Sequence, residues 1–145
     1  MGRIKIEMPD QFSFITEIPI RITDLNYGNH VGNDVFLSLI HEARVQFLQY
    51  HRYQEFDIEG KGLIMSDVAI EFKNEIFYGD KIKVSVAAGE FSKVSFDIFY
   101  KLEKGSTEKN VLVAKAKTGM VCYDYQLKKI TAVPEKFIER LTHLK

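Results

Sequence analysis

Ten consecutive residues, Asp24-Leu25-Asn26-Tyr27-Gly28-Asn29-His30-Val31-Gly32-Asn33, carry a carboxylate, a phenol, an imidazole and three side-chain amides. A carboxylate can act as a base or as a nucleophile. An imidazole can hydrogen-bond a developing oxyanion or orient water. If a helix opens at the end of this stretch, its first N–H groups have no intrahelical partner and form an anion site. A base and an anion site would then share one place. Each residue also has a plainer reading. An aspartate at a strand end commonly makes a turn, and Asn33 serves as a helix cap more readily than as a catalyst.

The flanking elements must position this stretch. Ile18-Pro19-Ile20-Arg21-Ile22 alternates before it, which predicts a strand with Ile18, Ile20 and Ile22 on one face. Pro19 lacks a backbone donor, so the strand is expected at an edge or broken there. After the stretch, Phe36, Ile40, Ala43 and Phe47 recur at helical spacing, with Leu37, Leu39 and Leu48 widening the apolar arc. Ser38, His41, Glu42, Gln46 and Gln49 fall opposite. Asn33 or Asp34 is expected to cap this helix, and Asp34 suits the positive end of its dipole. Arg44 projects within the apolar arc, and there it needs a carboxylate or carbonyl partner or must reach back to water.

From Gly62 onward the period becomes two. Val68, Ile70 and Phe72 alternate, then Ile82, Val84 and Val86, then Val94, Phe96, Ile98 and Tyr100, with turns at Tyr78-Gly79-Asp80 and Gly89-Glu90. Glu103 to Asn110 reads as a charged hairpin loop, and Val111 to Tyr125 as a long strand. Pro134 opens a last helix bearing Phe137, Ile138, Leu141 and Leu144 on one side. Ile4, Ile6 and Met8 suggest a further short edge strand. Strands joined by tight turns make an antiparallel sheet, and one long apolar helix can cover a face of it, an α+β layer architecture.

Composition narrows the function classes. The 145 residues fit one domain, residues 1–145, with 46% apolar and 28% charged residues. Twenty basic and twenty acidic side chains give a formal net charge of zero, and no basic stripe suggests nucleic acid. The single Cys122 excludes a disulfide framework, and four scattered histidines lack ligand spacing, so no metal site is expected. The first residues alternate charge with apolar side chains and do not read as a signal peptide. No run approaches a membrane span. A cytoplasmic location is the expectation.

Three ordered blocks resemble the hotdog-fold acyl-CoA thioesterase superfamily, in its 4-hydroxybenzoyl-CoA thioesterase-like branch. The first is Ile22-Thr23-Asp24 with Gly28-Asn29-His30-Val31-Gly32-Asn33 and Glu42-Ala43-Arg44. The second is Val68-Ala69-Ile70-Glu71-Phe72 running to Tyr78-Gly79-Asp80-Lys81-Ile82. The third is Ala114 to Cys122, ending near Val133-Pro134. Gly32 stands where the pattern has its first asparagine, and Phe36 where it often has tyrosine. The resemblance implies a hotdog fold, an antiparallel sheet wrapped around one long central helix. It implies hydrolysis of an acyl-CoA, or of an acyl group on acyl carrier protein, without cofactor or metal. Asp24 would be base or nucleophile. His30 and Asn33 would orient water or the oxyanion, and N–H groups from Val31 to Asp34 would polarise the carbonyl. Tyr27, Gly32, Asp34 and Ser66 would contact substrate. A homodimer or homotetramer is implied, with the Ser66 to Phe72 strand of one subunit near Asp24 of another. Two other functions fit the same blocks: a non-catalytic acyl-CoA-binding dimer, and a dehydratase acting on carrier-bound acyl groups.

Overall fold

The computed structural model describes residues 2–106 and 109–142. The chain runs β1 (Phe14–Pro19), a one-turn 3-10 helix (Ile22–Asp24), α1 (Asn33–Tyr50), β2 (Gly62–Phe72), β3 (Lys81–Gly89), β4 (Ser95–Ser106), β5 (Lys109–Asp124), β6 (Lys129–Ile130) and α2 (Glu135–Thr142). The principal sheet order is β1-β3-β4-β5-β2, all neighbours antiparallel, with β6 added to the end of β5. The expected α+β arrangement of one antiparallel sheet and one long helix is therefore present.

Alternation decides which face of the sheet meets the helix. Ile82, Val84 and Val86 of β3, Phe96, Ile98, Tyr100 and Leu102 of β4, and Ala116, Thr118, Met120 and Cys122 of β5 all turn inward and are buried. Phe36, Leu39, Ile40, Ala43, Phe47 and Leu48 of α1 join them in one core. Leu37 departs from the expected stripe. It is 43% exposed and lines an opening between α1 and β2.

Three more expectations are corrected. Ile4 to Met8 forms no strand. Instead residues 2–13 lie against the outer face of the sheet, where the Ile6 N–H donates to Glu71 at 2.6 Å and Lys101 stands over the Phe12 ring. Ile22 does not continue the buried row of Ile18 and Ile20. Beyond Pro19 the chain turns into the 3-10 helix, leaving Ile22 68% exposed. Glu103 to Asn110 is largely strand, with Gly105 pairing Asn110. The turn itself, and Leu144, lie outside the described residues. Pro19 does end a strand at the sheet's edge, as its missing donor requires. Pro134 precedes α2, its carbonyl accepting the Ile138 N–H.

Phe47 is fully buried and packs against Phe14 and His51. Phe47→Ala should cost about 3–5 kcal/mol in urea unfolding. Ile22→Ala, at an exposed position, should stay within about 0.5 kcal/mol.

Candidate active site

The stretch from Leu25 to Val31 folds as a small hairpin. The Asn26 N–H donates to the His30 carbonyl at 2.9 Å, and the Asn29 N–H to the Asn26 carbonyl at 3.1 Å. Tyr27, Gly28 and Asn29 form a three-residue loop. Its last position needs a positive φ, which Asn29 adopts at 65° and asparagine tolerates well. The Asn26 side-chain oxygen accepts the Gly28 N–H at 2.8 Å and braces the turn. Leu25 pairs with Val31 across this hairpin.

That register sets the site. One position beyond the Leu25–Val31 pair, Asp24 stands opposite Gly32, and facing residues in an antiparallel pair lie roughly 5 Å apart between Cα atoms. Gly32 is the residue that caps α1. Asp24 is buried at 6% exposure, not on an open surface. One of its oxygens accepts the Arg21 N–H at 2.8 Å, closing the 3-10 turn, and the other is 3.4 Å from the Arg21 guanidinium. The second oxygen is the freer one.

The helix cap differs from expectation. Neither Asn33 nor Asp34 caps α1. The cap is Gly32, with no side-chain hydrogen bond. The Asp34 carboxylate leans back over the tip, since a Cβ on Gly32 would lie 2.6 Å from its Oδ1. The same imagined atom would be 3.6 Å from the Asn26 amide nitrogen. Asn26 therefore reaches the tip as well, which its role as a turn residue concealed in the sequence. The donor set is also narrower than expected. The Val31 N–H is committed to the Ile76 carbonyl at 2.8 Å, and the Leu25–Val31 pairing turns the Gly32 N–H towards the Asp24 carbonyl, which leaves the N–H groups of Asn33 and Asp34.

His30 is half-buried, with Nδ1 at 3.2 Å from the Val31 carbonyl. A carbonyl only accepts, so the neutral ring carries its proton on Nδ1 and offers a lone pair at Nε2. Neutral His30 can accept from a water but cannot donate to an oxyanion through Nε2. Tyr27, at the hairpin tip, is fully exposed and is not gathered with Asp24. Ser66 is also remote within the chain. Phe72 packs 5.0 Å edge-on against Phe36 in the first turn of α1, and Ser66 lies roughly 20 Å back along β2. There it forms the bulge between Met65 and Asp67 and donates to the Gly119 carbonyl at 3.1 Å. Glu42 binds Gln46 at 2.6 Å on the solvent face of α1. Cys122 is buried, and burial pushes its thiol above the usual range.

The description of the thioesterase-like superfamily matches residues 20–141, and the chain belongs to that family. Its fold is the hotdog fold of solved thioesterases. A 1,4-dihydroxy-2-naphthoyl-CoA thioesterase from Synechocystis superposes with a TM-score of 0.79 at 22% identity, covering 90% of this chain and 96% of that one. A 4-hydroxybenzoyl-CoA thioesterase mutant in complex with 4-hydroxybenzoyl-CoA gives 0.79 at 16% identity, covering 89% and 98%. A DHNA-CoA thioesterase from Staphylococcus aureus gives 0.71 at 21% identity, covering 88% and 82%. No curated protein matches the chain in sequence.

Two outcomes test this site's construction. Asp24→Ala removes the acceptor that closes the 3-10 turn and should cost about 1 kcal/mol of stability, whereas Asp24→Asn keeps an acceptor and should cost less, both read by urea unfolding. Cys122 should resist alkylation in the folded protein and react only on unfolding, because burial disfavours its thiolate. Rapid labelling under native conditions would contradict that burial.

Proposed function

We propose that the chain is an acyl-CoA thioesterase, cleaving an acyl-CoA to the free acid and CoA with Asp24 as base or nucleophile. The observation that supports this is the Leu25–Val31 pairing, which holds a buried carboxylate opposite the N-terminal cap of α1. A thioester carbonyl between them meets a carboxylate on one side and free N–H groups, at the positive end of a helix dipole, on the other.

In the general-base form, the freer Asp24 oxygen takes a proton as water attacks the carbonyl carbon. The carbonyl oxygen becomes an oxyanion and is held by the N–H groups of Asn33 and Asp34. Collapse restores the carbonyl and breaks the C–S bond. The proton held by Asp24 then passes to the departing thiolate. In the nucleophilic form the same oxygen attacks the carbon directly, and water later hydrolyses the mixed anhydride. His30, accepting at Nε2, orients the water in either form, and the Asn26 and Asn33 amides flank it. The Asp34 carboxylate must swing aside to admit an anion, which its exposed position permits.

The working unit in this reading is a homodimer or a tetramer built from it. β2 is a long edge strand with Ile64, Met65, Val68 and Phe72 exposed, and pairing it with its symmetry copy would cover them and complete the site from the second subunit. Ser66 and Tyr27 would contact substrate only in that assembly.

Release of free thiol from a panel of acyl-CoAs tests the activity. Asp24→Asn should lower kcat by roughly a hundredfold to ten-thousandfold with the fold intact by circular dichroism. Full activity in that variant would remove Asp24 from the mechanism. A loss at His30→Ala alone would move the base to the imidazole. Saturable binding with no turnover of any acyl-CoA would support the binding-dimer alternative.

A further inference from the structure

A cavity of about 210 Å³ opens between α1 and the edge strand β2, with Thr118 of β5 at its floor. Leu37 and Met65 give it apolar walls, and Ser38 and His41 add a hydroxyl and an imidazole. Arg44 also lines it while being 6% exposed. Its Nε donates to Glu55 at 2.9 Å and its Nη1 to the Tyr100 hydroxyl at 3.4 Å, which shares a 2.7 Å hydrogen bond with Thr118. Among the described residues, Nη2 of Arg44 has no hydrogen-bond partner. It keeps contact with solvent at the cavity, where a ligand oxygen can replace water.

The cavity lies further along α1 from the helix tip. Asn33, Asp34, Leu37, Ser38 and His41 follow one another along one exposed face of α1. Asn33 and His41 are about 12 Å apart along the axis. An extended chain of roughly eight to ten carbons, with bonds near 1.5 Å, covers that distance. The volume suits the end of such a chain, since a cavity of about 150 Å³ already holds benzene.

We propose that this cavity receives the far end of the acyl group, and that Arg44 selects an uncharged oxygen there, making medium-chain acyl thioesters with a hydroxyl or keto group near the end the favoured class. The position of the thioester in this inference rests on the hydrolase reading above. Glu55 already balances the Arg44 charge, so a carboxylate would bring a second, uncompensated negative charge. A neutral oxygen gains the Nη2 hydrogen bond without that penalty, with Ser38 and Thr118 at hand as further partners.

Calorimetric titration of the Asp24→Asn protein with decanoyl-CoA and ω-hydroxydecanoyl-CoA tests it without turnover. The hydroxylated ligand should bind roughly ten- to a hundredfold more tightly, as for a hydrogen bond from a charged donor. Arg44→Met combined with Glu55→Gln removes both charges together, and should bring the two affinities close to one another. Equal affinities before that change, no binding by either ligand, or a preference that survives it in a folded variant would each overturn the proposal. If the double variant fails to fold by circular dichroism, the first comparison decides alone. Thiol release by the unaltered protein separates the two readings. A preference without turnover sinks the hydrolase and keeps the cavity. Turnover without a preference does the reverse.

Discussion

The hydrogen bond from the Val31 N–H to the Ile76 carbonyl fixes the position of everything in the candidate site. It anchors the outgoing arm of the small hairpin to the segment between β2 and β3. The Leu25–Val31 pair then aligns the incoming arm with it. Asp24 and the cap of α1 are held at one place by backbone pairing on both sides, before any side chain is considered. Burial reinforces this, because Val31 and Ile76 are both in the core and cannot leave it without losing apolar contacts. Backbone placed by main-chain pairing alone tolerates much change in the surrounding side chains.

The sequence made the large pattern legible because periodicity reports burial, and burial decides the layers. The switch from helical spacing in Phe36 to Phe47 to alternation after Gly62 reflects how those segments face one core. What could not be read were the local competitions. Gly32, and not Asn33 or Asp34, caps α1, because the hairpin hands the chain to the helix with Gly32 already opposite Asp24. Ile22 looked like a strand residue until a one-turn helix displaced it. Ile4, Ile6 and Met8 alternate like a strand, yet residues 2–13 lie across the sheet's outer face, held by Glu71 and Lys101. Asn26 read as a turn former, and only the fold brings its amide to the helix tip.

Arg44 shows how an unfavourable feature of the pattern resolves. A guanidinium within an apolar arc needed a partner or a route to water, and the fold supplies Glu55 from the loop after α1, with His41 beside it at 3.3 Å. The pair ties the loop to the helix, and Tyr100 and Thr118 extend the polar line across the inner face of the sheet. Tyr100 is fully buried, and burial holds its phenol above the ordinary range, so it stays protonated and available to donate. Buried polar chains of this kind are satisfied only in one register, which favours a single packing of α1 on the sheet.

The two rims of the sheet are unequal. One is β1, six residues long and stopped by a proline; the other is β2, eleven residues long and carrying no proline at all. A molecule with a single usable rim can be extended by one neighbour, and if that neighbour joins through the same rim, nothing remains for a third. Growth of the sheet from copy to copy is thereby terminated at the first step, so that exposed apolar strand residues can be kept without inviting open-ended polymers.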